Sequence, residues 1–114
     1  MSAIDDRTRL LHMRDAAREA VGFVRNGKRE DLDNNRMLTL AVVKEIEIIG
    51  EAASRVSAEC QAKHPQLMWR QMVGMRNRLT HAYFEVDLDI VWEVVTHDLP
   101  PLIEALEVIL ALET

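Results

Sequence analysis

Apolar residues recur at helical spacing from near the start of the chain. Leu10, Met13, Ala17, Ala20, Val21 and Val24 share one side of a predicted helix, with His12, Asp15 and Glu19 on the other. Asn26-Gly27 supplies a left-handed residue of the kind that ends helices, and Asp31, Asp33 and Asn34 offer caps for the next one. That second helix is predicted from about Asn34 to about Ala62, with Leu38, Ala41, Val42, Ile49, Ala52, Ala53 and Val56 in one stripe. Leu40, Val43 and Ile48 lie outside the stripe, so the apolar surface reaches far around the cylinder. Such a helix is central to a bundle or shared with a second subunit. Glu45 points into the stripe, where an unpaired carboxylate is costly, so a partner is expected. That partner is an Arg or backbone group if Glu45 is structural; the functional alternative is support for a catalytic edge.

His64-Pro65 interrupts the pattern, because proline disfavours helical geometry in the residue before it and suits a first turn. A third helix is predicted from near Pro65, with Met68, Met72, Met75, Leu79 and Ala82 as a narrow core stripe. A fourth follows Asp87 and buries Ile90, Val91, Val94 and Val95. Asp98 then caps a final helix whose first turn holds Pro100 and Pro101, and whose core residues are Leu102, Ile103, Leu106, Ile109 and Leu110. The expected fold is all-α: an up-and-down bundle of four to five helices with a bent C-terminal helix, in one domain over residues 1–114.

Composition narrows the function more than the fold. A chain with 48% hydrophobic and 29% charged residues is an ordinary globular one. It has no apolar leader after Met1 and no run long enough to span a membrane, so a cytosolic location is expected. The lone Cys60 has no second thiol for a disulfide or zinc pair and reads as a small residue near a helix end. His12, His64, His81 and His97 are scattered, and no carboxylate cluster accompanies them, so no metal and no cofactor are expected. The net charge of −5 argues against a surface that traps nucleic acid everywhere, but the distribution is uneven. Arg55, Lys63, Arg70, Arg76 and Arg78 face a lone Glu59 in the middle of the chain, and eight acids with no Lys or Arg follow from Ala82. Either a local phosphate site or pairing between neighbouring helices accounts for this.

Candidate chemistry concentrates in Arg76-Asn77-Arg78-Leu79-Thr80-His81-Ala82-Tyr83. With Arg76 at zero on a helical wheel, Tyr83 falls at about −20°, Thr80 at about 40°, Asn77 at about 100° and His81 at about 140°. Trp69 and Val73 project into the sector of Arg76 and Thr80, which suggests that this edge meets another surface. Asn77, four residues before His81, is placed to orient the imidazole or a phosphate. Arg76 and His81 diverge, and converge on one substrate only if the arginine bends, the helix frays near His81, or a second copy completes the site. A guanidinium that binds phosphate and a histidine that moves a proton suit phosphodiester cleavage.

Arginine, a polar residue, a few further residues and histidine form the motif of the HEPN ribonucleases, and Arg76, Asn77, His81 and Tyr83 fill the longer form found in the HepT-like branch. The chain resembles that branch also through Ile49-Gly50-Glu51-Ala52, Trp69 and the span from Asp87 to Pro101. The resemblance implies a homodimeric, metal-independent RNA endonuclease, a toxin paired with an MNT-type nucleotidyltransferase antitoxin. It implies Arg76 and His81 as catalytic residues, and Tyr83 as the acceptor of adenylyl groups that silence the enzyme. Asn77, Thr80 and Glu45 are the expected supporting residues. The runner-up is a non-catalytic dimeric module of the same fold that binds nucleotide or a nucleotidyltransferase partner. With 4% aromatic residues, few platforms exist for stacking bases, so strong sequence readout of RNA is not expected.

Overall fold

The computed structural model describes residues 5–81 and 85–112. Helix α1 (Asp6–Val24) starts where the Asp5 carboxylate accepts from the Thr8 amide at 2.8 Å, which satisfies one of the free N–H groups of a first turn. It ends before Asn26, whose φ of 63° turns the chain. A single turn, α2 (Asp31–Asn34), drives Leu32 into the core, and the buried Thr39 hydroxyl ties it to the next helix by donating to the Leu32 carbonyl at 2.7 Å. Helix α3 (Arg36–Ser54) is capped by Asn35, which accepts from Leu38 N–H, instead of by Asp31, Asp33 or Asn34. The Asp31 carboxylate is occupied by the Lys28 amide in the turn before.

The most extensive helix pair is α1 with α3. Ala16, Ala17 and Ala20 of α1 and Ala52 and Ala53 of α3 are buried, and such small residues allow close approach. Val42, Ile46 and Ile49 fill the centre with Leu10, Met13, Leu106 and Ile109.

The predicted second helix does not continue to Ala62. It stops at Ser54, and Ser57 builds a corner: its amide and hydroxyl donate to the two Asp6 carboxylate oxygens at 2.8 and 2.6 Å. The Ser57 hydroxyl oxygen also accepts from Cys60 N–H, which starts α4 (Ala58–Lys63). A serine offering its hydroxyl to both a carboxylate and an amide outweighs the helical preference of its neighbours. The third helix likewise starts later than Pro65, at Trp69, and is split into α5 (Trp69–Val73) and α6 (Met75–Leu79) around Gly74. Met68, expected in the core, precedes this helix and is 63% exposed, while Leu67 is buried.

A short hairpin follows, β1 (Thr80–His81) against β2 (Glu85–Val86), antiparallel with Thr80 opposite Val86. Asp87 then caps α7 (Leu88–Glu93) by accepting from the amides of Asp89 and Ile90. The chain stays helical through a π turn (Val94–Asp98) into α8 (Leu99–Leu112), so Asp98 is not a cap. Leu99 N–H donates to Val94 O, five residues back. Pro100 and Pro101 have no amide hydrogen and crowd the carbonyls four residues before them, and a widened turn at that point relieves both defects without ending the helix.

The fold is therefore an all-α bundle, with one two-residue strand pair inserted where the third arm meets the fourth. Its glycines make the packing testable. A β-carbon added at Gly22 meets nothing within 4 Å, whereas one at Gly50 lies 3.0 Å from the Met72 carbonyl oxygen and 3.5 Å from that of Val73. Gly22→Ala is expected to stabilise the protein by about 0.5–1 kcal/mol through the unfolded chain and helix propensity. Gly50→Val is expected to destabilise it by about 1–3 kcal/mol through overpacking against backbone. Urea unfolding of the two variants should give shifts of opposite sign.

Candidate active site

Gly50 sets the distance between α3 and the arm that carries the motif, because its missing side chain lets the α5 backbone lie directly on α3. The arm is anchored at its start by Trp69, whose indole N–H donates to the His64 carbonyl at 2.9 Å. Met72, Met75 and Leu79 are buried, so the methionine stripe holds from Met72 onward. Across the Gly74 break the arm stays hydrogen-bonded, with Gly74 N–H donating to Arg70 O and Arg78 N–H to Gly74 O. Arg76 and Asn77 therefore stand on a helix of fixed register, and Asn77 is exposed.

His81 does not stand on that helix. The helix ends at Leu79, and Thr80 and His81 continue as strand, locked by Asp87 N–H donating to Leu79 O at 2.7 Å. The wheel angles of Thr80 and His81 thus do not apply, nor does a helical four-residue contact between Asn77 and His81. The backbone between Arg76 and His81 changes from helix to strand after Leu79. The side chains of Arg76, Thr80 and His81, and all of Tyr83, lie outside the described residues.

Pairing between helices engages one basic residue of the middle cluster, Arg78, and several of the late acids. Arg78 donates to Glu93 at 3.1 Å and Asp98 at 3.2 Å, which commits it to holding α6 against α7 and the π turn. Arg29 binds Asp33 and Asp89, and Arg18 binds Glu107. Beside Arg78 lies a groove of about 410 Å³, largely apolar, between the α5–α6 arm and the start of α8, with Met68, Met72, Met75 and Leu102 in its walls. Sequence reasoning missed it, because it depends on how α8 crosses the arm. Met37, Leu40 and Val73 are 82%, 53% and 44% exposed, so α3 and α5 both leave apolar side chains uncovered.

Glu45 is buried and does have a partner, though neither an arginine nor the backbone. It is hydrogen-bonded to Glu19 of α1. Two carboxyls share a hydrogen bond only when one is protonated, and burial, the Glu19 hydrogen bond and the Glu19 charge together push the Glu45 carboxyl up to about 7. Its side chain belongs to the α1–α3 seam, about 140° around α3 from Gly50 and the arm that Gly50 receives. His64 and Cys60 are buried, whereas His12 and His97 are exposed. Among the described residues no three His, Cys, Asp or Glu side chains group as metal ligands. No described helix is long and apolar enough to cross a membrane.

Residues 13–109 match the family model described as ribonuclease HepT-like. A Methanocaldococcus jannaschii protein named as a candidate RNase is 32% identical over 109 residues, which cover 96% of this chain and 100% of the relative. A Caldanaerobacter subterraneus protein, also named as a candidate RNase, is 38% identical over 74% of this chain and 75% of its own. A Thermococcus cleftensis protein named as a candidate ribonuclease HepT is 40% identical over 64% of this chain and 66% of its own. No solved structure matches.

The Glu19–Glu45 pair gives stability a defined pH dependence. Folded Glu45 keeps its proton to higher pH than the unfolded chain, so its contribution is full below the ordinary value of 4.5 and is lost as pH rises through about 7. Glu45→Gln supplies a permanent amide donor to Glu19. Thermal melts should show the variant close to the parent near about pH 5 and more stable by on the order of 1–3 kcal/mol near about pH 8. A constant difference across that range would remove Glu45 as the titrating group.

Proposed function

We propose that this chain, which belongs to the HepT-like ribonuclease family, cuts RNA by metal-free acid–base chemistry at a site completed by two copies of the chain. The observation that carries this reading is the end of α6 at Leu79, which leaves Arg76 on a helix and His81 on the strand that follows. A rigid helix then presents the cation, and the histidine is released from the helical direction that would point it away.

In the proposed reaction, one His81 takes the proton of a ribose 2′-hydroxyl and the freed oxygen attacks the adjacent phosphorus. The bond from phosphorus to the 5′-oxygen breaks, and the His81 of the second copy returns a proton to that leaving oxygen. The products are a 2′,3′-cyclic phosphate and a free 5′-hydroxyl. Arg76 holds the phosphate and offsets the charge that gathers on its oxygens. Asn77 and Thr80 orient these groups, while Glu45 acts from a distance by fixing α1 on α3. The uncovered Met37, Leu40 and Val73, together with Trp69, support an isologous dimer through α3 and α5.

We assign the chain to a toxin–antitoxin pair in the cytoplasm, with an MNT-type nucleotidyltransferase as its partner. The Tyr83 phenol oxygen attacks the α-phosphorus of ATP, pyrophosphate leaves, and the phenol proton passes to a base of the partner. The AMP left behind places a phosphate where Arg76 would hold RNA.

His81→Ala and Arg76→Ala should each lower RNA cleavage by roughly a hundred- to ten-thousand-fold, with unchanged helical circular dichroism. The parent should run as a dimer in light scattering and keep its activity in EDTA; activity stopped by EDTA and restored by magnesium would overturn the metal-free mechanism. Coexpression with the adjacent nucleotidyltransferase should add AMP to Tyr83, read by peptide mass spectrometry. Tyr83→Phe should remain cleavage-competent and unmodified. AMP found only on other residues would take Tyr83 out of this role.

A further inference from the structure

Three basic side chains converge on a basin that the motif does not use. Arg9 and His12, one turn apart on α1, face Lys44 of α3 across a cavity of about 370 Å³, whose remaining walls are Glu47, Ile48, Glu51 and Ala52. Six other arginines are engaged: Arg7 with the Leu110 carbonyl, Arg14 with Asp15, Arg18 with Glu107, Arg29 with Asp33 and Asp89, Arg55 with Glu51, and Arg78 with Glu93 and Asp98. Arg9 stands apart. Its Nε is buried without a hydrogen-bond partner, the one such side-chain nitrogen or oxygen among the described residues. Leaving a buried N–H of a charged group unmatched is costly, and Arg9 is among the residues that line the cavity, where its guanidinium carries further N–H groups that an anion can use.

We propose that this basin is a second phosphate subsite, holding a backbone phosphate of the RNA at a distance from the bond that is cut; it rests on the ribonuclease reading above. The charge balance favours an anion: Arg9, Lys44 and the neighbouring Arg55 stand against Glu47 and Glu51, and Arg55 Nε already neutralises Glu51 at 2.7 Å. His12 adds a further donor. Among the described residues no Phe, Tyr or Trp lines the cavity, so none of them stacks a base there as in a nucleotide pocket; contacts to the sugar-phosphate chain need only charge and donors. The position also fits. The α3 residues that line the basin lie about 60–200° around the helix from Gly50, on which α5 rests, so the basin opens on another side of α3 from the motif arm, as a phosphate remote from the cut bond would need.

The test is fluorescence anisotropy of a labelled single-stranded RNA, in a His81→Ala background, over a salt series. Each phosphate whose contact is lost lowers the slope of log affinity against log salt by about 0.7, so Arg9→Gln with Lys44→Gln, which together release one phosphate, should lower it by about 0.7 and weaken binding by about tenfold or more. Arg9→Lys with Lys44→Arg should keep the parent slope. If the double variant loses its helical circular dichroism, Lys44→Glu, at an exposed position, should move the slope the same way. Unchanged slope and affinity in a folded variant overturn the subsite. With His81 intact, the loss of cleavage should grow from a dinucleotide to an oligomer; an equal loss on both also overturns it. Calorimetry with inorganic phosphate and with ATP separates the sources: binding of either that depends on Arg9 and Lys44, with RNA binding unaffected, rejects RNA as the occupant. Cleavage by the parent protein is read separately, so its absence sinks the ribonuclease reading while the salt slope still decides the basin.

Discussion

The contact on which the arrangement depends is between a missing side chain and a backbone. Gly50 lets the Met72 carbonyl approach α3 to within the reach of a β-carbon, and that approach fixes the height of the α5–α6 arm above the scaffold. Everything downstream inherits this position. Met72, Met75 and Leu79 reach the core only because the arm lies so close, and their burial sets the rotation of α6 about its own axis. Rotation of α6 in turn leaves Asn77 exposed. A helix glycine usually weakens its segment; here the loss in propensity is offset by a packing distance that a β-carbon would widen by a few tenths of an ångström.

The second constraint is the end of that helix. Leu79 O is claimed by Asp87 N–H, and Asp87 also caps α7 with its carboxylate, so one residue closes the hairpin and opens the next helix. The hairpin is thereby held at its base from both sides, by strand pairing at Thr80 and His81 and by the cap at Asp87. The residues of greatest chemical interest in the sequence fall at a change from helix to strand. Such a change lets two side chains five positions apart escape the angular divergence that a continuous helix would impose on them.

These two constraints explain what the sequence made legible. The all-α class, the burial of Met72, Met75 and Leu79 and a helix that starts after Asp87 could be read from local patterns, because each depends on neighbours within a few residues. The continuous second helix was misread because Ser57 finds its decisive partner, Asp6, 51 positions away. The late start at Trp69 has the same character, since its indole bond to His64 O and the burial of Leu67 are results of packing. Two prolines ordinarily announce a first turn, which makes Asp98 read as a cap; the π turn that absorbs them has no signature of its own in the sequence. Glu45 was correctly expected to need a partner, but a second carboxyl was not among the partners considered. Periodicity had put Glu19 on the polar side of α1, and that side turns out to border α3 at this point.

Charge is distributed by the same logic of near and far. Along the chain, basic residues cluster in the middle and acids at the end; in the fold several of the late acids are paired across helices. Arg78 crosses to Glu93 and Asp98, and Arg29 and Arg18 reach Asp89 and Glu107. Exposed pairs of this kind contribute little stability each, typically under about 1 kcal/mol, so their main effect is to hold long side chains in place and quench the local field. What remains for an anionic substrate is decided by which cations are left over after that pairing. Net charge therefore says little about a polyanion's path across this protein. Arg78, inside the motif segment, is committed to the scaffold, and Arg9, far from the motif in sequence, keeps a buried nitrogen unmatched at the wall of a cavity.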